Sequence, residues 1–499
     1  MSSAATSSPG PPTSRPTTLG QLRRSGYADR TVKQEVAANV AARLRRGQPV
    51  VEGLVGFDDT VLPALETALL AGHDFILLGE RGQAKSRILR SLVALLDEAL
   101  PVIAGSEVND HPYHPFSPQA RATVAELGED TPIDWIDRDS RFAEKLATPD
   151  IAVADLIGDV DPIKVAEGRH LGDELTMHFG LIPRHNRGVV AINELPDLAE
   201  RIQVALLNVM EERDVQVRGY SLRLPLDLLV VATANPEDYT NRGRIITPLK
   251  DRFGAEVRTH YPLTLAEEVA VMHAEARSPE YAGAAAGKSG GALVVPAFLC
   301  EVLAAFTRAL RTATEVNQRS GVSVRFSISN YETAAASALR RALRTGEEHA
   351  VARVADLYQV LSACAGKVEF ETFEEGREAE ILERLLRRAL LEVFRRRTAG
   401  LDLQGLVAKF DGGASVDSGD LVPAGELLAQ LDEVPGLARL LVALEVEEES
   451  PLLAAAALEF ALEGLHLSRK IDRTEIGPAA FRYGAAHPRD RGGPAAGRG

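Results

Sequence analysis

The run Gly79-Glu80-Arg81-Gly82-Gln83-Ala84-Lys85-Ser86 holds the residue types needed to grip a chain of phosphates. It follows the spacing G-x-x-x-x-G-K-[ST], with Ala84 in place of the second glycine. In such a loop the backbone N–H groups turn inward onto phosphate oxygens at a helix N-terminus. Lys85 would set a point charge against the β- and γ-phosphates, and Ser86 would ligate Mg²⁺. Alanine is the smallest residue with a Cβ. It crowds such a loop only if its position needs φ > 0. The competing reading is a glycine-rich turn that carries an ordinary surface lysine.

About a hundred residues on, Ala191-Ile192-Asn193-Glu194 ends a second apolar run. Phosphoryl transfer to water needs a carboxylate to polarise the water and a group to hold the metal's hydration shell. Glu194 suits the first role, and the alternative is a carboxylate that caps the segment before Asp197. Asn193 suits the second but brings no charge, so Mg²⁺ binding should be weakened and Asn193→Asp should tighten it. Asn235, in Ala234-Asn235-Pro236, would orient water near the γ-phosphate or else simply form an Asn-Pro turn. Arg252, in Lys250-Asp251-Arg252-Phe253, would reach a γ-phosphate in a neighbouring subunit from a loop before the last strand, or pair locally with Asp251.

These residues need strands to hold them. Asp74-Phe75-Ile76-Leu77-Leu78, residues 188–192, residues 228–232 and residues 255–261 read as buried strands. Residues 83–96 and 198–212 read as helices between them. Continuous apolar strands alternating with helices predict a parallel sheet covered on both faces. Residues 215–217 and 221–224 read as a hairpin. Thr264 and Glu267 form a capping-box pattern that opens a helix over residues 265–276. Helical patterns run from Pro296 to about Arg397. A linker over residues 412–420 precedes a last helical segment that ends near Arg473.

The predicted order is a tail over 1–18, a basic helical segment over 19–49, an α/β core over 50–262, an all-helical lid over 263–400, a helical extension over 401–475 and a disordered tail over 476–499. The 499 residues carry a net charge of −15, which argues against broad nucleic-acid binding. Cys300 and Cys364 are too few for a disulfide scaffold or a cysteine zinc site. No secretory signal or membrane span is legible, so a cytoplasmic protein is expected. His111 and His114 lack further ligands at a telling spacing and read as a solvated or substrate-contacting loop.

Taken together, the chain resembles the AAA+ ATPases, nearest the magnesium-chelatase subunit I and MoxR-like branch. The carrying residues are 79–86, 189–194, 234–236 and 251–253. The runs Phe179-Gly180-Leu181-Ile182-Pro183-Arg184-His185-Asn186-Arg187-Gly188 and Asp155-Leu156-Ile157-Gly158-Asp159-Val160-Asp161 resemble that branch too. The resemblance implies a five-stranded sheet of order 5-1-4-3-2 with ATP and Mg²⁺ at subunit boundaries of a homo-oligomeric, hexameric ring. It implies a remodelled protein partner, in this branch often a von Willebrand factor A protein, including in metal-chelatase complexes. Glu194 maps to the Walker B glutamate, Asn235 to sensor 1 and Arg252 to the arginine finger. Arg325 maps to sensor 2, placed just before a lid helix that Ser329 and Glu332 would cap; the alternative is a surface loop arginine. Ala84 and Asn193 depart from the family pattern and imply slow turnover. A weakly hydrolysing, nucleotide-dependent assembly protein is the second reading. A sigma-factor-contacting transcriptional activator ranks lower, because no GAFTGA loop or helix-turn-helix is present.

Overall fold

The computed structural model describes residues 15–160, 177–211, 214–217, 220–236, 245–277, 293–317, 321–364, 366–371, 374, 376–431, 433–446, 450–477 and 480–486. The chain divides into two compact units, Met1–His260 and Tyr261–Gly499.

The first unit is built on five strands: β1 (Phe75–Leu78), β2 (Phe142–Leu146), β3 (Gly188–Asn193), β4 (Leu228–Ala234) and β5 (Ala255–Arg258). Their order is β5-β1-β4-β3-β2, and the four pairings are all parallel. The expected 5-1-4-3-2 sheet is therefore present. Its apolar runs are continuous because alternate residues feed two different cores. Ile76, Val190, Ile192 and Val230 pack on the face that carries the helix Glu200–Glu211. Phe75, Leu77, Val189 and Val231 pack on the face that carries the helices Val61–Leu70 and Lys85–Ser91.

The sequence reading passed over β2. Phe-Ala-Glu-Lys-Leu has no continuous apolar run, because an edge strand need bury only part of its length. What holds it in place is a buried ion pair. Arg141, directly before β2, donates to both Glu35 carboxylate oxygens at 2.7 and 2.6 Å and to the Arg187 carbonyl. Glu35 lies on the N-terminal helix Val32–Arg45, whose Val32, Val36 and Val40 enter the same core as β1. The basic segment over 19–49 is thus part of this unit and helps to fasten it. Residues 15–18 also correct the expected tail. Trp135 Nε1 donates to the Pro16 carbonyl (2.7 Å), Ile133 N donates to Thr17 (2.9 Å), and Thr18 caps the helix Leu19–Arg24. The remainder of that expected tail lies outside the described residues.

Strands Asp214–Val217 and Tyr220–Arg223 pair antiparallel as expected, their turn lying outside the described residues. The expected loop at 281–291 and Asp161 lie outside them too.

The second unit opens with the helix Leu265–Glu275, closed by the expected capping box of Thr264 and Glu267. It continues through Ala297–Thr312, Val324–Thr345, Val354–Cys364 and Glu378–Arg397. Three expectations fail here. Residues 401–475 do not stand apart, because Phe460, Phe410 and Leu427 share one core with Phe298 and Leu386. Nor is the unit all-helical, and residues 476, 477 and 480–485 of the expected tail lie in strands, with 487–499 outside the described residues. β6 (Val416–Gly419), β7 (Ile471–Gly477) and β8 (Ala480–Ala485) form an antiparallel sheet of order β6-β8-β7. β6 occupies the expected linker. The cue was the alternation Phe481-Arg482-Tyr483, which turns both rings inward and leaves Arg482 outside to pair with Asp417. Among the described residues, no helix is long and apolar enough to cross a membrane.

Candidate functional site

The parallel register brings the C-terminal ends of β1, β4 and β3 to one edge. Leu78 lies beside Ala234, and Ala232 beside Ile192. The loop 79–86 leaves β1, Asn235 follows β4 and Glu194 follows β3, so three distant segments meet there.

The loop is held by its own side chains. Gln83 Oε1 accepts the Glu80 N–H at 3.0 Å and the Thr259 hydroxyl at 3.0 Å. A Cβ at Gly79 would lie 2.0 Å from Thr259 Oγ1, so that glycine is a steric requirement. Ala84 adopts φ 57° and ψ 10°, the left-handed region, as the residue that caps the helix Lys85–Ser91. The condition under which alanine is strained is thus met. Gly82, also at positive φ (79°), takes its conformation without that cost.

Lys85 Nζ donates to the carbonyls of Gly79 and Glu80 (the latter at 2.8 Å) and to Asn235 Oδ1 at 2.9 Å. Lys85 and Asn235 therefore share one place, and Asn235 does more than form a turn. Ser86 is half-buried in the first turn of the helix, with Arg81 exposed on the loop before it.

Glu194 has φ 57° and ψ 48°, a left-handed conformation. Non-glycine residues hold it only where surrounding structure enforces it. The clamp is Thr233, whose Oγ1 accepts the Glu194 N–H at 2.9 Å. Glu194 precedes the short helical turn Leu195–Asp197, but its side chain makes no capping bond there, which sets aside the capping alternative. Burial and the neighbouring Asp197 raise the Glu194 carboxyl above the usual glutamate range, while Arg81 and Lys85 draw it back. Those opposing influences place the carboxylate within the field of the phosphate loop.

Asn193 donates from Nδ2 to Glu144 Oε1 at 2.5 Å. Glu144 also accepts from Arg90 Nε at 2.7 Å. Glu144, Thr233 and Thr259 are site residues that the sequence reading did not single out. Thr233 stood inside the run Ala232-Thr233-Ala234-Asn235, but Glu144 lay in the unrecognised strand.

Two arginines fall elsewhere than expected. Arg252 ends the helix Thr247–Arg252 rather than lying on a loop, and its partner is Glu211 rather than Asp251. It is exposed and belongs to neither the Lys85 nor the Glu194 cluster. Arg325 lies in the first turn of the helix Val324–Thr345, capped by Ser323, so Ser329 is helix interior and caps nothing. Arg325 is exposed within the second unit.

Asp29, His111 and His114 gather their ligand atoms within 4.8 Å. The Tyr113 N–H donates to His111 Nδ1 at 3.0 Å, which leaves the proton of the neutral ring on Nε2, facing Asp29. His114 Nε2 shares a hydrogen bond with Asp29 at 2.7 Å, whereas His111 Nε2 stands 3.2 Å from the same carboxylate without an aligned hydrogen bond. Burial, with help from Arg187, pushes the His111 ring down to about 4.

A loop that cradles phosphate, with a lysine, an asparagine and a carboxylate converging on it from the end of a 5-1-4-3-2 sheet, defines an AAA+ ATPase domain. Residues 138–254 match the family described as "ATPase family associated with various cellular activities (AAA)". Within that class the chain is similar to magnesium-chelatase subunits. It is 32% identical over 232 residues to the magnesium-chelatase 38 kDa subunit of Rhodobacter capsulatus, covering 44% of this chain and 58% of that one. It is 28% identical over 191 residues to the magnesium-chelatase subunit ChlI of Anabaena variabilis, covering 37% and 52%. The chain thus spans little more than half the length of these curated relatives. Among solved structures, a model of the BchI–BchD complex of magnesium chelatase is 21% identical, covering 68% of this chain and 100% of that one, with a TM-score of 0.35.

Proposed function

We propose that this chain binds and hydrolyses ATP, and that subunits assembled in a ring use the energy to remodel a protein partner in the cytoplasm. The observation that carries the reading is the meeting of Lys85 with Asn235 at the mouth of the phosphate loop, beside Glu194. The backbone N–H groups of residues 82–85 and the Lys85 ammonium would hold the β- and γ-phosphates. The Gly79, Glu80 and Asn235 oxygens that accept from Lys85 are uncharged, and phosphate oxygens can take their place. Ser86 and Asn193 offer oxygen donors of the kind Mg²⁺ takes, so the donor set fits the ion, which neutralises phosphate charge when bound. Glu194 would accept the proton of the attacking water, and Asn235 would orient that water. Arg252 would leave Glu211 to meet the γ-phosphate of the adjoining subunit, and Arg325 would act from the second unit.

The sequence likeness to magnesium-chelatase subunits supports a partner of the type that branch engages, a von Willebrand factor A protein. Phosphate release with Mg-ATP, compared between wild type and Glu194→Gln, tests hydrolysis. Equal rates in the two would remove Glu194 from the mechanism. Absence of release from an assembled wild-type ring would favour the weakly hydrolysing assembly protein.

A further inference from the structure

The Asn193 side chain stands where a carboxylate would serve the metal better, yet a carboxylate is there. Glu144 reaches up from β2 to within 2.5 Å of Asn193 Nδ2. In the parallel register Glu144 lies beside Ala191, two residues before Asn193. All three side chains therefore share the sheet face that carries the helix Lys85–Ser91. Arg90 on that helix also grips Glu144, its Nε on Oε2 at 2.7 Å and its Nη2 at 3.2 Å on the Oε1 that Asn193 shares. Arg90 lies one turn beyond Ser86, on the same helix face.

We propose that Glu144 supplies the negative charge that Asn193 lacks, so that the anionic half of the Mg²⁺ site has moved from the end of β3 to the neighbouring edge strand. Asn193 then relays that charge. Its amide N–H₂ is committed to Glu144, and its carbonyl oxygen, which accepts the Thr233 hydroxyl at 3.4 Å, keeps a lone pair that would serve the metal's water. An ion pair with Arg90 alone would need no contact with Asn193, and Arg90 is mostly exposed, so the pair adds little stability by itself. The proposal rests on the ATP reading above.

It reverses one expectation. Asn193→Asp should not tighten the metal, because Glu144 already supplies the charge and the substitution replaces their hydrogen bond with the repulsion of two adjacent carboxylates. Moving the charge should succeed where adding it fails. In Asn193→Asp/Glu144→Gln the amide and the carboxylate exchange places, and the hydrogen bond survives with its direction reversed.

The test is Mn²⁺ retention by the protein–ADP complex, followed by electron paramagnetic resonance, alongside ADP affinity in excess chelator. Glu144→Gln should weaken Mn²⁺ retention by roughly tenfold, the effect of one charge-assisted contact, with metal-free ADP affinity unchanged. Asn193→Asp should bring no gain, and the double exchange should return retention to near the wild-type value. Unchanged Mn²⁺ retention in Glu144→Gln, or tighter retention in Asn193→Asp alone, overturns the proposal while leaving the ATP reading intact. Failure of wild type to bind ADP at all would instead strike the underlying reading. If Glu144→Gln does not fold, the double exchange decides: retention at the wild-type level supports the relocated charge, and retention at least tenfold weaker refutes it.

Discussion

Ala84 is the residue whose replacement should most directly report the backbone of the phosphate loop. Its φ of 57° places an L-residue in the left-handed region, at a cost of roughly 1–2 kcal/mol. Glycine escapes that cost but gains about 0.4–1 kcal/mol of freedom in the unfolded chain. The difference predicts that Ala84→Gly stabilises the first unit by about 0.5–1 kcal/mol. The chain's single tryptophan, Trp135, lies in that unit, with its indole bonded to Pro16, so its fluorescence reports the unit's unfolding apart from the second unit. At a urea m-value of ~2–3 kcal/mol per molar, the midpoint should rise by roughly 0.2–0.5 M. Gly82→Ala, at φ 79°, should move it the other way by a similar amount. Ala84→Val should be worse than wild type, because a β-branched residue tolerates this region poorly. A lower midpoint for Ala84→Gly, or no loss in Gly82→Ala, would refute the claim that this loop demands left-handed backbone at both positions.

The remaining predictions address chemistry. Lys85→Ala should abolish ATP binding at micromolar nucleotide, since a charge-assisted contact to phosphate is worth tenfold or more; fluorescent-nucleotide titration checks it, and wild-type affinity in a folded variant contradicts it. Hydrolysis should fall as pH drops through the raised Glu194 pKa, because the base works only when ionised, so its acid limb lies above the ordinary 4.5 of a glutamate. Asp197→Asn removes the like charge and should shift that limb to lower pH, read from kcat/KM against pH; a shift upward sinks the assignment. Arg252→Ala should bind ATP but lose turnover on the order of 10³ or more, and mixing it with Glu194→Gln should recover phosphate release in co-assembled rings, where some interfaces pair an intact Arg252 with an intact Glu194. Verified mixed rings without recovery would show that Arg252 does not act across the boundary.

Local chemistry was legible in the chain itself wherever one short segment carried it. The phosphate loop, the strand before it and the helix after it follow from spacing and an apolar run alone. So do the strands that end at Glu194 and Asn235, because strands buried on both faces leave an unbroken hydrophobic signature. The capping box at Thr264 and Glu267 is likewise complete within four residues. What the chain hid were the relations between segments. The edge strand β2 buries too little to show a pattern, and with it went Glu144. β8 was obscured by its proximity to a Pro/Gly/Arg-rich end, although two inward aromatic rings marked it. Arg252 looked like a neighbour of Asp251, yet it pairs with Glu211, forty-one residues away in sequence. The sign of φ at Ala84 was equally beyond the sequence, since alanine adopts helical backbone by preference and takes the left-handed region only where the strand before it and the helix after it impose that turn. Residue types and spacing therefore determined which groups could hold a phosphate. Only the register of parallel strands decided that Lys85 meets Asn235, and that the negative charge absent from Asn193 lies beside it on Glu144.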